Sequence, residues 1–388
     1  MKRAASLAML DDTLAARVLA ESWEYPDADT QHLTHNIHRY SGKFIPPIAA
    51  RAIGLLSRPG DRIVDPYCGS GTTLLEAALA GRRATGVDLN PLAVLIARVK
   101  TTPLPASKLQ TMVRTLTRSL LSDGKASKCS APEGEPRFLD PWYRKWFQEP
   151  VLRELLRIDT ALLHLDDLAL RDVGRVAFSD ILRRSSNAHA KYPNVMLNKQ
   201  APEKEPPVRL FLKALERIVA RVETLSGTNA AWSQVEVICG NAQALPMAAN
   251  TVDAVLSHPP YVGSIPYAEY GALSLGWLGA DAKQLDRELT GGRRQSRDVV
   301  QRFQDGYSRM LGECARVLKP GACMFLMVGN PVVKGELVDL AAMTLRLAEE
   351  TGFAFVVRTD RKGVNRRANK MGAEHLLFFR KPAAERTL

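Results

Sequence analysis

Asp65-Pro66-Tyr67-Cys68-Gly69-Ser70-Gly71-Thr72 is the stretch on which the reading of the whole chain turns. Ile63 and Val64 stand before it, a short apolar run that ends on a carboxylate. After it, residues 72–79 place apolar side chains at helical spacing. The order is therefore strand, glycine turn, helix. A second strand over residues 84–87 ends at Asp88, and another apolar helix runs on towards Lys100. Two such units in succession open a doubly wound α/β sheet.

The same alternation returns downstream. Strands are expected at 235–238 and 252–256, then a helix at 303–317, a strand at 322–328, a helix at 337–351 and late strands at 353–358 and 375–380. The fold class is a mostly parallel, Rossmann-like sheet. Residues 101–233 between the two runs are too many for a connection within one compact domain. They read as an inserted, largely helical subdomain, with helical patterns near 151–170 and 208–225 and polar stretches at 122–136 and 183–207. Residues 1–100 then form the first half of the sheet domain and 234–388 the second. The aromatic cluster Trp142, Tyr143, Trp146 and Phe147 in the insertion reads as core rather than as a stacking platform.

Composition sets outer limits. A chain of 388 residues that is 46% hydrophobic can bury a core without staples. Cys68, Cys129, Cys239, Cys314 and Cys323 are scattered with no CxxC pair, so neither a zinc site nor a disulfide framework is expected, and the cysteines suit a reducing cytosol. No metal is expected. Asp11 and Asp12 interrupt the N-terminal apolar residues before a signal-peptide core forms, and no stretch approaches a membrane span. A formal charge of +12, from 53 Lys and Arg against 41 Asp and Glu, attracts polyanions without naming one.

Two carboxylates end adjacent strands, and each suits part of a nucleoside ligand. Asp65 can accept from a ligand ammonium, as at the amino-acid end of S-adenosylmethionine, and Asp88 can take both hydroxyls of a ribose. Asn241 and Ala242, after the third strand, would lie beside an adenine. The turn lacks the GxGxxG spacing and no Walker lysine follows it, which disfavours NAD and ATP. A turn of this kind alone would mark only a generic nucleotide fold.

A second motif, Ser257-His258-Pro259-Pro260-Tyr261, follows the strand at 252–256 and so falls at the same carboxyl edge of the sheet. Two prolines make a rigid loop, and an aromatic follows at once. Such a loop can hold an exocyclic amine by its N–H groups, with Tyr261 stacking on an extruded base. Elsewhere a Pro-Pro-Tyr tripeptide would usually be a simple turn.

The stretch from Asp65 to Lys100 resembles the cofactor half of the DNA amino-methyltransferases. The second motif resembles their D/N/S-P-P-Y/F signature, found in enzymes of adenine N6 and cytosine N4. The resemblance covers roughly residues 35–100 and 235–380. It implies S-adenosyl-L-methionine as cofactor, with Asp65, Gly69, Gly71 and Asp88 as ligands, Thr72 close by, and Tyr67, Cys68 and Asn90 in the same two turns. Upstream, His35-Asn-Ile-His38-Arg39-Tyr40-Ser-Gly-Lys43-Phe44-Ile-Pro46-Pro47 is similar to the family's lysine-bearing loop, which places Lys43 and Phe44 over the methionine end. His35 and His38 read equally as ligands or as structural residues.

The chain departs from the family at the first signature position, where His258 stands with Ser257 before it. Either a neutral imidazole accepts the amine hydrogen bond, or Ser257 does and His258 packs. The segment after Tyr261 resembles that following SPPY in bacterial enzymes and favours cytosine N4. The insertion, between the two motifs, is then the candidate target-recognition region. Arg293, Arg294 and Arg297, near Gly291-Gly292, and Arg366 and Arg367, in a later basic run, are candidate phosphate contacts, against the plainer reading of a solvated face. The resemblance therefore implies a cytoplasmic, nucleoid-associated, site-specific methyltransferase of double-stranded DNA acting on a flipped-out cytosine, with a cognate restriction endonuclease as an expected partner. The competing readings are adenine N6, an amino group in structured RNA, and an inactive S-adenosylmethionine-binding module.

Overall fold

The computed structural model describes residues 2–122, 136–190, 192, 194–263, 265–292, 298–362 and 373–383. Seven strands form one sheet: β1 Arg62–Asp65, β2 Arg83–Asp88, β3 Val235–Cys239, β4 Val252–Ser257, β5 Leu318–Gly329, β6 Ala354–Lys362 and β7 Ala373–Arg380. Their spatial order is β3-β2-β1-β4-β5-β7-β6. The first five are parallel, and β7 runs antiparallel to both β5 and β6. The strand order reverses between β1 and β4, which opens a crevice at their carboxyl ends.

Alternation along each strand builds two cores. Ile63, Ala254, Leu256 and Phe325 face one side with Ile48 and Ile53 of the Pro46–Leu56 helix and Leu74 of the Thr72–Leu79 helix. Val64, Val255, Met324 and Leu326 face the other, against Phe303 and Tyr307 of the Val299–Val317 helix and Leu347 of the Leu340–Glu350 helix. Trp23 reaches the first core from the N-terminal segment, stacking on Phe325 and donating its indole N–H to the Val18 carbonyl.

The inserted helices, Ala106–Leu121, Glu149–Leu163, Leu168–Ser185 and Pro207–Glu223, are amphipathic, and each lays its apolar stripe against the others. They share one continuous core with Leu92, Leu95, Ile96 and Val99 of the Pro91–Thr101 helix, so the insertion is docked on the sheet domain. The pattern expected as one helix over 151–170 is two. Asp167 stops the run by capping a new helix, accepting from the backbone N–H groups of Ala169 and Leu170. The aromatic cluster packs into the core: Trp146 and Phe147 are buried, the half-buried Trp142 and Tyr143 lie against them, and Tyr143 and Phe147 meet Trp277 edge-on. The expected polar stretch 122–136 falls almost wholly outside the described residues. No helix among the described residues is long and apolar enough to cross a membrane.

Candidate active site

A cavity open to solvent lies at the carboxyl ends of β1, β2 and β4. Tyr67, Gly69, Asp88, Asn90, Asn241, Ala242, His258 and Pro260 line it, so both sequence motifs open onto the same space.

Asp88 ends β2 with each carboxylate oxygen already holding one backbone N–H: Oδ2 accepts from Gly69 at 2.9 Å and Oδ1 from Asn90 at 2.8 Å. These bonds aim the carboxylate into the cavity and leave lone pairs on both oxygens. Burial nevertheless pushes its pKa up to about 6. Asn90 in turn caps the Pro91–Thr101 helix through a bond from Leu92 N.

Asp65 takes a different part. It is 3% exposed and does not line the cavity. Its Oδ2 accepts from Thr73 Oγ1 at 2.6 Å, and its Oδ1 from Tyr67 N at 3.1 Å and Ser257 Oγ at 2.7 Å. The carboxylate therefore ties the glycine turn to the end of β4. Gly71, at φ +82°, packs against Ala97, where an added Cβ would lie 2.9 Å from the Ala97 Cβ. It too is away from the cavity, as are Cys68 and Thr72, both buried.

In the second motif, Ser257 is fully buried and donates to Asp65, whereas His258 lines the cavity. Its Nε2 lies 2.7 Å from the Tyr261 hydroxyl, and Phe44 meets the ring edge-on at 5.3 Å. Nδ1 is buried without a well-formed hydrogen bond, beside the main chain of Gly42. Burial holds the imidazole down to about 4, so it is neutral at physiological pH. Tyr261 is itself buried, its ring against Gly329, and like Pro259 it does not line the cavity.

The upstream loop closes the cavity with residues other than those expected. Lys43 turns away and donates to the carbonyls of His35 at 3.0 Å and His38 at 2.9 Å. Phe44 is core. Instead Tyr40 and Gly42 form the wall, with Tyr267 stacked on Tyr40 at 5.9 Å between ring centroids. Sequence reasoning missed Tyr40 and Tyr267 as lining residues because a single aromatic in a loop or at the start of a short helix carries no spacing signal. His38 is structural here: its Nε2 lies 3.0 Å from Ser179 Oγ, which meets Ser274 Oγ at 2.7 Å, joining the loop to the insertion and to the segment after the catalytic motif.

A groove of about 1120 Å³ leaves from Tyr40 and Tyr267 between the insertion and the Tyr267–Ser274 segment. Arg39, Asp180, Arg183 and Arg184 border it. The candidate phosphate contacts Arg293, Arg294, Arg297, Arg366 and Arg367 all lie outside the described residues. Of the flanking basic residues, Arg361 is 3% exposed and paired with Glu374 at 2.7 Å, and Arg358 is paired with Asp360. Both serve the β6–β7 edge.

Comparison with known proteins agrees with this geometry. The family described as DNA methylase matches residues 13–98. The type II methyltransferase M.MvaI of Kocuria varians is 26% identical over 374 residues, covering 79% of each chain. M.MjaII of Methanocaldococcus jannaschii is 39% identical over 101 residues, 26% of this chain and 18% of that one. A tRNA (guanine(10)-N2)-dimethyltransferase of Methanothermobacter thermautotrophicus is 42% identical over 52 residues, 13% of this chain and 16% of that one. With the Asp88 cavity and the His-Pro-Pro-Tyr loop on one sheet edge, the chain is similar to the DNA methylases in its cofactor half and to a type II methyltransferase over most of its length.

Proposed function

We propose that this protein methylates the exocyclic N4 amine of cytosine at specific sites in double-stranded DNA, the target base being extruded into the cavity. The observation that carries the proposal is the shared cavity of Asp88 and His258. Asp88 is the natural acceptor for the ribose hydroxyls, and Asn241 and Ala242 flank the place of an adenine. Tyr67, Gly69 and Asn90 complete that wall. When bound, the cofactor supplies an electrophilic methyl group.

Ser257 is committed to Asp65, so His258 occupies the signature's first position on the cavity side. Its neutral ring, held by Tyr261 through Nε2 and lining the cavity, is the group assigned to the target amine. Pro260 holds the loop rigid beside it. Fixing one N–H turns the nitrogen lone pair towards the methyl donor, and orientation does the rest. Tyr40 and Tyr267 are placed to flank the base, and the groove beyond them to take the strand that carries it, with the insertion reading sequence. A cognate endonuclease belongs to the same reading.

The test is methyl transfer from radiolabelled cofactor to duplex DNA and to total RNA, followed by nucleoside analysis. N4-methylcytosine in DNA is the expected product. N6-methyladenine would move the target base, and label confined to RNA would overturn the DNA reading in favour of the chemistry named for the tRNA guanine-N2 relative.

A further inference from the structure

Behind the glycine turn, outside the cavity, three metal-competent side chains converge. His32 Nε2 lies 3.1 Å and His35 Nε2 2.7 Å from the same oxygen, Oε1 of Glu76. All three ligand atoms fall within 4.8 Å of one another. His32 and His35 come from the turn that precedes the Tyr40–Phe44 loop, and Glu76 from the Thr72–Leu79 helix. Cysteine spacing gave no hint of such a site, because its ligands are two histidines and a carboxylate 41 residues further on.

The protonation of His32 makes this more than a hydrogen-bonded cluster. Its Nδ1 is 2.9 Å from the carbonyl oxygen of Asp29, which can only accept, so Nδ1 carries the proton. In neutral His32, Nε2 is then a bare lone pair aimed at a carboxylate oxygen. Two acceptors at 3.1 Å repel unless a cation lies between them. A ring N–H held by a backbone carbonyl is also what orients histidine ligands in metal centres.

We propose that His32, His35 and Glu76 form a site for a divalent first-row transition cation, zinc fitting best, which clamps the Tyr40–Phe44 loop to the helix behind the glycine turn. Two imidazoles and one carboxylate suit zinc, whose bonds to such ligands are about 2.0–2.2 Å and whose tetrahedral ligand spacing is about 3.3 Å. The His32–Glu76 separation of 3.1 Å is close to that, and the His35–Glu76 contact of 2.7 Å opens by about 0.6 Å to admit the ion. Water takes the fourth position from the side of His32, whose side chain is 35% exposed. Two lysines are the other charges near the site. Lys43 is turned to the carbonyls of His35 and His38, and Lys100 is buried 3.3 Å from Ser70 Oγ.

The alternative cation is a proton, held either on His32 or on Glu76. Full-length protein stripped with chelator and titrated with zinc separates the two, independently of any methyl transfer. The expected result is one zinc retained per chain by elemental analysis, tetrahedral ligand-field bands with cobalt(II), and a melting temperature raised by zinc. His32→Gln, on the solvent side, should fold normally, lose zinc affinity on the order of 100-fold and lose the thermal response. Glu76→Gln should do the same. Wild-type protein that retains no zinc and shows no thermal shift, or zinc retained equally by both variants, would overturn the site.

Discussion

Ser257 Oγ donates to Asp65 Oδ1 across 2.7 Å, joining the ends of two neighbouring strands that are 192 residues apart in sequence. The bond fixes the catalytic loop relative to the cofactor turn. It also removes both groups from the roles that their motifs suggest, since a buried hydroxyl and a buried carboxylate satisfying each other face neither ligand nor base.

Ser257→Ala should therefore act on stability. Asp65 would keep Thr73 and Tyr67 as donors but lose one of three bonds, at a cost of about 1–3 kcal/mol. Chemical denaturation reads the loss. Turnover of the folded enzyme should stay within about tenfold of wild type, because no transition-state contact is removed. A variant of undiminished stability and abolished turnover would make Ser257 the amine acceptor.

Asp88 gives a pH dependence with two opposite signs. Its pKa rises from the ordinary 3.8 to about 6 in the folded protein, so the folded state binds this proton more tightly than the unfolded chain. The stability linked to Asp88 is fully present below 3.8 and is lost as pH rises through about 6. Cofactor affinity runs the other way, falling up to about tenfold per pH unit below 6 as the ribose acceptor is neutralised. Calorimetric titration of S-adenosylmethionine between pH 5 and pH 8, roughly spanning that transition, checks it. Asp88→Asn should bind weakly at every pH and lose the slope; an unchanged affinity would remove Asp88 from the site.

How much of this was legible follows from what each residue's neighbours are. The central strands β1, β2 and β4 were readable because each is a short, mostly buried run that ends on Asp65, Asp88 or Ser257. Asp88 was readable because its partners, Gly69 and Asn90, lie in the two turns themselves. Asp65, expected to face a ligand, is held by Ser257, and nothing local in the sequence announces that contact. Lys43 carries a charge that suggests a ligand, yet the nearest unsatisfied groups are the carbonyls of its own loop. Tyr267 and the His32–Glu76 contact depend wholly on how distant segments pack.

Gly71 illustrates the same point and can be measured. It was expected to let the backbone approach the cofactor, but its close neighbour is Ala97 of the next helix, with the Cα at 3.1 Å from an added Cβ. Gly71→Ala combines left-handed backbone strain with that overlap and should cost about 2–4 kcal/mol. Gly60→Ala, at φ +89° with open space around it, should show only the strain, about 1–2 kcal/mol. Equal losses in the two variants would remove the Ala97 contact from the account. Adding Ala97→Gly to Gly71→Ala should recover part of the difference.

His258 carries the sharpest expectation. His258→Ala takes away the one ring on the cavity side of the catalytic loop while leaving the Asp65–Ser257 bond in place. If this ring contacts the target amine in the transition state, turnover should fall by about 10²-fold or more with cofactor affinity near wild type. His258→Ser restores the family's Ser-Pro-Pro-Tyr and should keep part of the activity, with cytosine still the methylated base. The buried ring titrates near 4, so it stays an acceptor across the neutral range. Any acid limb in kcat between about pH 5 and 7 should then persist in His258→Ser, because it belongs to other groups. Tyr261→Phe tests the ring's orientation: loss of the 2.7 Å contact at Nε2 should lower kcat and leave KM for the cofactor unchanged. Full turnover in His258→Ala would return the imidazole to a packing role beside Phe44, and the amine would have to be held by main-chain carbonyls of the Pro259-Pro260 loop alone.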